Sequence, residues 1–127
     1  MMKHEVSSKG APVPVGPYSQ AVEESGTVFC SGQIGLNQST GMLEDSIVGQ
    51  TKRALDNLSE VLKAAGLGME DVVKTTVFLA DMKLYAQMNE EYSRYFKPPF
   101  PARTTVQASP PRGALVEIDA IARKKSS

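Results

Sequence analysis

Proline placement is the feature that most limits how this chain can fold. All eight prolines fall into three short clusters, at residues 12–17, 98–101 and 110–111. Proline cannot donate a backbone hydrogen bond, and it interrupts both helix interiors and central strands. Regular elements are therefore expected in the long segments that the clusters leave between them.

Two of these segments carry the pattern of β-strands. Residues 27–36 form an apolar run, and residues 21–23 are expected to pair with it as a hairpin across a turn at Ser25-Gly26. Residues 71–80 are β-branched and apolar at both odd and even positions. This second pattern predicts a strand that is covered on both faces.

Two other segments repeat apolar residues at helical spacing. The first covers residues 47–65, with Asp45 as the predicted N-cap and Gly66 as the stop. The second is predicted to begin at Asp81 and to end at residues 97–99. The apolar stripe of this second helix is formed by Leu84, Met88, Tyr92 and Phe96.

Two final strands are predicted over residues 102–108 and 114–123, joined by a turn at residues 109–113. The element order is then strand pair, helix, strand, helix, strand pair. A mixed sheet that carries both helices on one face accounts for this order. The predicted fold class is therefore an α+β sandwich.

Alternation along the last strand assigns the two faces of this sheet. Its apolar positions are expected to face the helices, and these are Val116, Ile118, Ala120 and Ala122. The other face mixes apolar and charged groups, and it is predicted to carry Val73, Val77 and Leu79 as well. Two helices cover only one face, so the open face indicates an interface with other copies of the chain.

Composition and charge narrow the function classes. The 127 residues suit one domain, taken as residues 1–127, and the 41% hydrophobic content is that of a globular protein. Fourteen basic residues balance fourteen acidic ones, which leaves no electrostatic signature for nucleic acid or an anionic membrane. No apolar stretch is long enough to predict a membrane-spanning helix.

The single cysteine and the single histidine limit the chemistry further. Cys30 has no partner for an intrachain disulfide, and within the apolar run Val28-Phe29-Cys30 it is expected to be a small buried hydrophobe. His4 lies near the terminus, so a histidine-based metal site or a Ser-His-Asp triad has little to build on. Neither a GxGxxG nor a Walker A loop is present, and we predict no metal and no cofactor.

Arg103 and Glu117 are the strongest candidates for chemistry, and both are predicted on the open face. Arg103 follows the stiff segment Phe100-Pro101-Ala102, and a guanidinium held this way can bind a carboxylate through two parallel hydrogen bonds. Glu117, on a half-apolar surface, is a candidate general acid or base. The competing interpretation is a structural salt bridge between Arg103 and either Glu117 or Asp119.

Other segments bring further polar residues toward the same cleft. Tyr18 follows Pro17, which fixes the backbone there, although a core tyrosine in a turn fits the same pattern. Gly32, next to Ser31, permits close approach of a ligand or marks a β-bulge. Asn89 interrupts a helix of better helix formers, which in an exposed helix is usually uninformative. The residues alone predict a small-carboxylate cleft at a subunit interface.

Six segments of the chain together resemble the Rid family, the reactive intermediate deaminases also called the YjgF family. They occur in the family's order and run across nearly the whole chain. The segments are Val15-Gly16-Pro17-Tyr18-Ser19-Gln20-Ala21, Ser31-Gly32-Gln33-Ile34, Val73-Lys74-Thr75-Thr76-Val77-Phe78-Leu79, Asn89 to Tyr92, Phe100-Pro101-Ala102-Arg103-Thr104 and Glu117-Ile118-Asp119-Ala120-Ile121-Ala122.

The resemblance implies a chorismate-mutase-like fold and a homotrimer around a central barrel, with three clefts between subunits. It also implies hydrolysis of 2-imino acids, such as 2-iminobutanoate and 2-iminopropanoate, to 2-oxo acids and ammonia without a cofactor. These imines are tautomers of enamines that pyridoxal-phosphate dehydratases release. Arg103 would bind the substrate carboxylate, and Glu117 would activate water and handle protons. The cleft would be lined by Tyr18, Ser31, Gly32, Asn89 and Thr105.

Two positions depart from the family pattern. Thr105 stands where many members carry a cysteine, so thiol-based regulation at this position should be absent. Gly35 replaces the proline that usually follows Ser-Gly-Gln-Ile, and we expect it to loosen the loop at the cleft. Neither change removes a group that the proposed chemistry uses.

Competing functions and the cellular location complete the expectations. An endoribonuclease or translation inhibitor is a label often attached to this family, but zero net charge and a peripheral His4 disfavour phosphodiester chemistry. A trimer that only binds small carboxylates, or acts as a chaperone, also stays open. Residues 1–10 show no targeting peptide, so a cytoplasmic location is expected and a mitochondrial one is left open.

Overall fold

A computed structural model describes residues 2–125, and six of its eight strands form one mixed sheet. In chain order the strands and α-helices are β1 (His4–Val6), β2 (Ala21–Glu24), β3 (Thr27–Ile34), β4 (Leu36–Asn37), β5 (Met42–Leu43), α1 (Ile47–Ala64), β6 (Val72–Leu79), α2 (Tyr85–Tyr92), β7 (Ala102–Gln107) and β8 (Val116–Arg123). The sheet order is β1-β2-β3-β8-β6-β7, and β4 pairs only with β5. The α+β class and the mixed sheet with two helices are confirmed.

The β2–β3 hairpin closes through the predicted turn. Ser25 and Gly26 adopt φ of 52° and 82°, so both central residues are left-handed. A two-residue turn of this kind matches the twist of the flanking strands. The hairpin predicted from the apolar run and its Ser-Gly punctuation is confirmed.

The N-cap of helix α1 lies one residue later than predicted. The side chain of Ser46, not Asp45, caps the helix by accepting a hydrogen bond from the Gly49 amide at 3.0 Å. Ser46 has the extended backbone that an N-cap requires, whereas Asp45 precedes the cap and is exposed. At the other end Gly66 takes a φ of 79° and terminates the helix as expected.

Helix α2 is shorter than its apolar stripe indicates. Asp81 caps a short 3₁₀ turn at Met82–Leu84 rather than the α-helix, which follows directly and ends at Tyr92. Phe96 is buried outside the helix, where its ring packs against Tyr92 at a centroid distance of 4.7 Å. The predicted stripe of Leu84, Met88, Tyr92 and Phe96 therefore contributes to one apolar cluster, although Phe96 lies beyond the end of the helix.

The last two strands are not partners, contrary to the predicted strand pair. β7 pairs in parallel with β6 at the edge of the sheet, and β8 inserts antiparallel between β3 and β6. The crossover through α2 returns the chain beside β6, which makes the parallel pairing possible. The connection from β7 to β8 crosses over β6 instead of forming a hairpin.

The faces of β8 are as predicted, but in β6 Val77 and Leu79 lie on the face opposite to the predicted one, while Val73 is exposed. Val116, Ile118, Ala120 and Ala122 are all buried toward the helices. In β6 a bulge at Val73 shifts the register, since Val72 opposes Ala122 while Lys74 opposes Ile121. Beyond the bulge Val77 and Leu79 therefore face the helices, and both are fully buried. The open face carries Lys74, Thr76 and Phe78 in their place.

Gly35 is tightly packed, which overturns the expectation of a looser loop. It is buried, and a Cβ added to it would lie 2.5 Å from Cα of Gln50. The absence of a side chain lets α1 approach this end of β3. Within residues 2–125 no helix is both long and apolar enough to cross a membrane.

Candidate functional site

A bulge in β3 brings the backbone against Glu117. Cys30 opposes Ala120 on β8 while Gln33 opposes Ile118, so Ser31 and Gly32 together form the irregular step. A Cβ added to Gly32 would lie 2.6 Å from Oε2 of Glu117. The sequence left two alternatives for Gly32, a β-bulge or the close approach of another group. Both are present, because the bulge at Gly32 is what brings the backbone close to Glu117.

Hydrogen bonds fix the segment that faces this bulge. The amide of Ser31 donates to the Gln20 carbonyl at 2.9 Å, and its Oγ donates to the Ser19 carbonyl at 2.7 Å. The buried side chain of Gln20 donates to the Pro12 carbonyl at 2.9 Å and accepts from the Ser8 amide at 2.6 Å. The loop that carries Tyr18 is thus tied to β3.

Tyr18 is not a core tyrosine. Its side chain is 51% exposed, and it lines a cavity of about 390 Å³, which we name the Glu117 cavity. The lining of this cavity is mainly apolar. It consists of Pro12, Val13, Pro14, Val15, Tyr18, Gln20, Ser31, Gly32, Gln33, Ile34, Leu36, Pro111, Arg112 and Glu117.

The surroundings of Glu117 in this cavity favour the protonated form of its carboxyl group, compared with the same group in water. Burial raises the pKa of its carboxyl group, and the negative charge of nearby Asp119 raises it further. Among the described residues no ion pair includes Glu117. A carboxyl group in such surroundings can take up and return a proton.

Arg103 lies on the helix side of the sheet, so its predicted place on the open face is wrong. On the parallel β6–β7 ladder it is level with Thr75, which is fully buried under the helices. Its Nη2 donates to Oη of Tyr85 at 2.8 Å, and its Cζ lies 4.7 Å from the ring centroid of Tyr92. The error follows from the unpredicted parallel pairing and from the bulge at Val73.

A second, smaller cavity surrounds this guanidinium. The Arg103 cavity, as we name it, has a volume of about 270 Å³ and is lined by Asn89, Tyr92, Ser93, Phe100, Pro101 and Arg103. Asn89 thus lies beside Arg103, as predicted. Thr105 shares the helix-side face with Arg103 and is half-buried opposite Val77, but it lines neither of the two cavities.

The structural salt bridge between Arg103 and Glu117 or Asp119 does not form. Val116 and Ile118, the neighbours of Glu117, are buried toward the helices, which directs Glu117 to the open face. Arg103 is on the other face, where its polar partner is a tyrosine. No ion pair of the described residues involves Arg103.

Cys30 is the buried hydrophobe that the sequence predicts. It is free, 7% exposed, and its pKa is raised to about 12 by burial and by Asp119. Within the described part of the chain no three His, Cys, Asp or Glu side chains are grouped to hold a metal ion.

Sequence reasoning missed Tyr85 and Arg112. Tyr85 and Tyr92 are seven residues apart and share one helical face, which was the available signal for an aromatic pair beside Arg103. Arg112 lines the Glu117 cavity with a left-handed φ of 62°. No spacing pattern in the sequence singles it out.

Comparison with known proteins identifies the family. The Endoribonuclease L-PSP family matches residues 8–124. The chain belongs to this family. The resemblance to Rid proteins is thereby confirmed, since relatives with deaminase names match over nearly the same length.

Individual L-PSP relatives carry different names. A mouse protein named 2-iminobutanoate/2-iminopropanoate deaminase is 48% identical over 96% of this chain and 92% of its own. A Thermotoga maritima structure solved under an endoribonuclease name is 44% identical, with a TM-score of 0.94 over 98% of this chain and 100% of that one. Escherichia coli TdcF with bound serine is 34% identical, with a TM-score of 0.92 over 96% of this chain and 99% of that one.

Proposed function

We propose that this chain is a 2-imino acid deaminase whose sites form between copies of itself. The observation that carries the proposal is the separation of the two charged groups. Arg103 and Glu117 each lie in a partial cavity, on opposite faces of one sheet, so a single chain cannot present both to one small substrate. The mouse relative's name supplies the reaction class.

The open face of the sheet suits the required assembly. It carries two pairs of apolar side chains that are each in register, Phe29 with Ile121 on β3 and β8, and Phe78 with Val106 on β6 and β7. Phe29 is 48% exposed and Val106 is 39% exposed, which is unfavourable for a lone chain in water. In our proposal three copies cover these faces, and the Arg103 cavity of one copy meets the Glu117 cavity of the next.

The proposed chemistry needs only a bound iminium ion and water. Arg103 holds the substrate carboxylate, and a water oxygen attacks C2 while Glu117 takes one proton from the water and the C=N electron pair moves to nitrogen. Glu117 then returns its proton to the amine. The C–N bond breaks with its electron pair going to nitrogen, and the hydroxyl proton passes through Glu117 to the departing ammonia, which leaves the 2-oxo acid and an ammonium ion.

The environment of Glu117 supports this role. A carboxylate of ordinary pKa is a weak base for water and a poor carrier of a proton near neutral pH. Burial and Asp119 both raise the pKa of Glu117, which brings it closer to working pH. The tyrosines around Arg103 take one of its N–H donors and contact its face, and the remaining donors are available to a carboxylate.

An imine-decay assay tests the function. A serine or threonine dehydratase generates the imine, semicarbazide traps it, and faster loss of trappable imine in the presence of the protein is the expected result. A protein that only binds carboxylates, or acts as a chaperone, would leave imine decay unchanged. An endoribonuclease would cleave RNA in a parallel incubation without accelerating imine decay.

Light scattering tests the assembly. A mass of three chains at micromolar concentration is expected. A monomer mass under these conditions would contradict both the trimer and a site shared between copies.

A further inference from the structure

The guanidinium of Arg103 is held by two tyrosines of helix α2. Its Nη2 donates to Oη of Tyr85 at 2.8 Å, and its Cζ lies 5.5 Å from the Tyr85 ring centroid and 4.7 Å from that of Tyr92. Arginine beside aromatic rings gains a cation–π attraction in addition to the hydrogen bond. The side chain is therefore oriented before any ligand arrives.

The two tyrosines contribute in different ways. Tyr92 is 6% exposed, and its hydroxyl is 2.8 Å from Oγ1 of the fully buried Thr75. The ring of Tyr92 is therefore part of the packed core and is held in place by this hydrogen bond. Tyr85 is only half-buried, and within residues 2–125 its hydroxyl forms a hydrogen bond with Arg103 alone. Tyr85 is thus the partner that can be changed without disturbing the core.

Orientation of this kind affects how well a carboxylate binds. A free arginine side chain loses considerable rotamer entropy when it is immobilised, and a partner that immobilises it beforehand reduces that loss. A guanidinium has five N–H donors, and one bond to Tyr85 leaves the others for a carboxylate. The planar fork needs the correct orientation to make two parallel bonds.

We propose that Tyr85 is a positioning residue, whose hydroxyl holds the Arg103 guanidinium in the orientation that receives the substrate carboxylate. This inference rests on the proposed deaminase function. Tyr85 acts through Arg103 and does not touch the reacting carbon. Because the carboxylate is held both in the bound substrate and in the transition state, losing this support should raise KM more than it lowers kcat.

The test compares Tyr85→Phe with Tyr95→Phe. The first change removes only the hydroxyl that contacts Arg103. The second removes a hydroxyl bound to Asp56 at 2.7 Å, away from both cavities, and is expected to leave kcat/KM unchanged. For Tyr85→Phe we expect kcat/KM for 2-iminobutanoate to fall about tenfold, mainly through KM, as for the loss of one charge-assisted hydrogen bond. Melting temperature and assembly mass should stay at wild-type values.

A double-mutant cycle shows whether Tyr85 acts through Arg103. In an Arg103→Lys background, Tyr85→Phe should have a smaller effect, because lysine has no planar fork to orient. The same loss in both backgrounds would overturn the proposal. So would wild-type kcat/KM in Tyr85→Phe itself.

Equilibrium binding of 2-oxobutanoate separates this proposal from the reaction. Calorimetry should show its Kd rising about tenfold in Tyr85→Phe and unchanged in Tyr95→Phe. If the wild-type protein binds 2-oxobutanoate but does not hydrolyse imines, the deaminase function fails while the role of Tyr85 is still decided by this comparison. If the wild-type protein does not bind 2-oxobutanoate, the carboxylate role of Arg103 and that of Tyr85 both fail.

A measurement on the wild-type protein covers the case in which Tyr85→Phe does not fold. Rotation of the Arg103 guanidinium about its Nε–Cζ bond can be followed by nitrogen NMR, with Arg103→Lys for assignment and exposed Arg94 as the internal comparison. Slower rotation in Arg103 than in Arg94 supports the proposal. Equal rates would overturn it.

Discussion

The Arg103 cavity and the Glu117 cavity have opposite effects on the charge of the ionisable group that each contains. Arg103 is surrounded by groups that favour its charge, namely a tyrosine hydroxyl and two aromatic rings. Glu117 faces an apolar cavity and a second carboxylate, and both disfavour its charge. The difference suits the two proposed roles, because a group that binds a carboxylate must stay charged while a group that carries protons must be able to change its charge.

Arg103→Ala is the most damaging change that this comparison predicts. We expect kcat/KM for 2-iminobutanoate to fall about 10³-fold, since two charge-assisted hydrogen bonds to the carboxylate are lost. Arg103→Lys should lose less, because one charged donor remains. The melting temperature should fall only slightly, since Arg103→Ala removes one hydrogen bond to Tyr85 and the contacts with two aromatic rings but no ion pair with the described residues.

Imine hydrolysis and thermal unfolding measured on the same preparations check this expectation. A folded Arg103→Ala assembly that hydrolyses 2-iminobutanoate at the wild-type rate would remove the carboxylate-binding role. A large fall in melting temperature with normal turnover per folded molecule would make Arg103 a structural residue.

Glu117→Gln should reduce kcat about 10²-fold, within the range for loss of a general acid or base. Glutamine keeps the shape of the side chain but cannot carry the proton.

The same variant should also change stability. The pKa of Glu117 is raised in the folded state, so the folded state binds this proton more tightly than the unfolded chain does. Its contribution to stability is thus most favourable at low pH and declines as pH rises through the raised pKa. At neutral pH the variant should therefore unfold at or above the wild-type temperature.

The pH profile of the wild-type protein supplies a second check on Glu117. Activity should decline on the acidic side at a pH above the ordinary range of a glutamate, as the base becomes protonated. An acidic limb at the ordinary value, or one that persists unchanged in Glu117→Gln, would assign it to another group.

Gly32→Ala tests how closely the Glu117 cavity is fitted. Its new Cβ would lie 2.6 Å from Oε2 of Glu117, so the carboxylate must move. We expect kcat to fall about tenfold, since small displacements of a reacting group slow the reaction strongly. In a Glu117→Gln background, Gly32→Ala should lower kcat little further. Equal losses in both backgrounds would show that Gly32 acts through the fold and not through Glu117.

Thiol reagents should have the smallest effect. Cys30 is 7% exposed and its pKa is raised to about 12, so it offers almost no thiolate near neutral pH. Activity after treatment with a mild thiol oxidant should match that of untreated protein. Inactivation that dithiothreitol reverses would show that Cys30 is accessible and coupled to a site.

The elements that local signals control could be predicted from the sequence. Ser25-Gly26 has the composition of a tight turn, and the alternation in β8 follows one face without interruption. The alternation alone therefore places Glu117 on the open face and makes it the candidate for proton transfer.

The position of Arg103 could not be predicted by the same reasoning. β6 is apolar at both parities, so its alternation does not reveal the bulge at Val73 that exchanges the two faces. Thr75 is a polar residue inside the core, satisfied by Tyr92 on another element. The parallel pairing of β6 with β7 depends on the path through α2. Such long-range partners leave no periodic signal in the chain.

Because β8 lies between β3 and β6, a nascent chain cannot close the sheet until the ribosome has released residues as far as Arg123. Before that point β1-β2-β3 and β6-β7 have no strand in common, and each presents an unpaired edge. Glu117 arrives on the strand that joins them. Glu117 is therefore placed by the event that completes the sheet, and a chain arrested before β8 contains Arg103 but not Glu117.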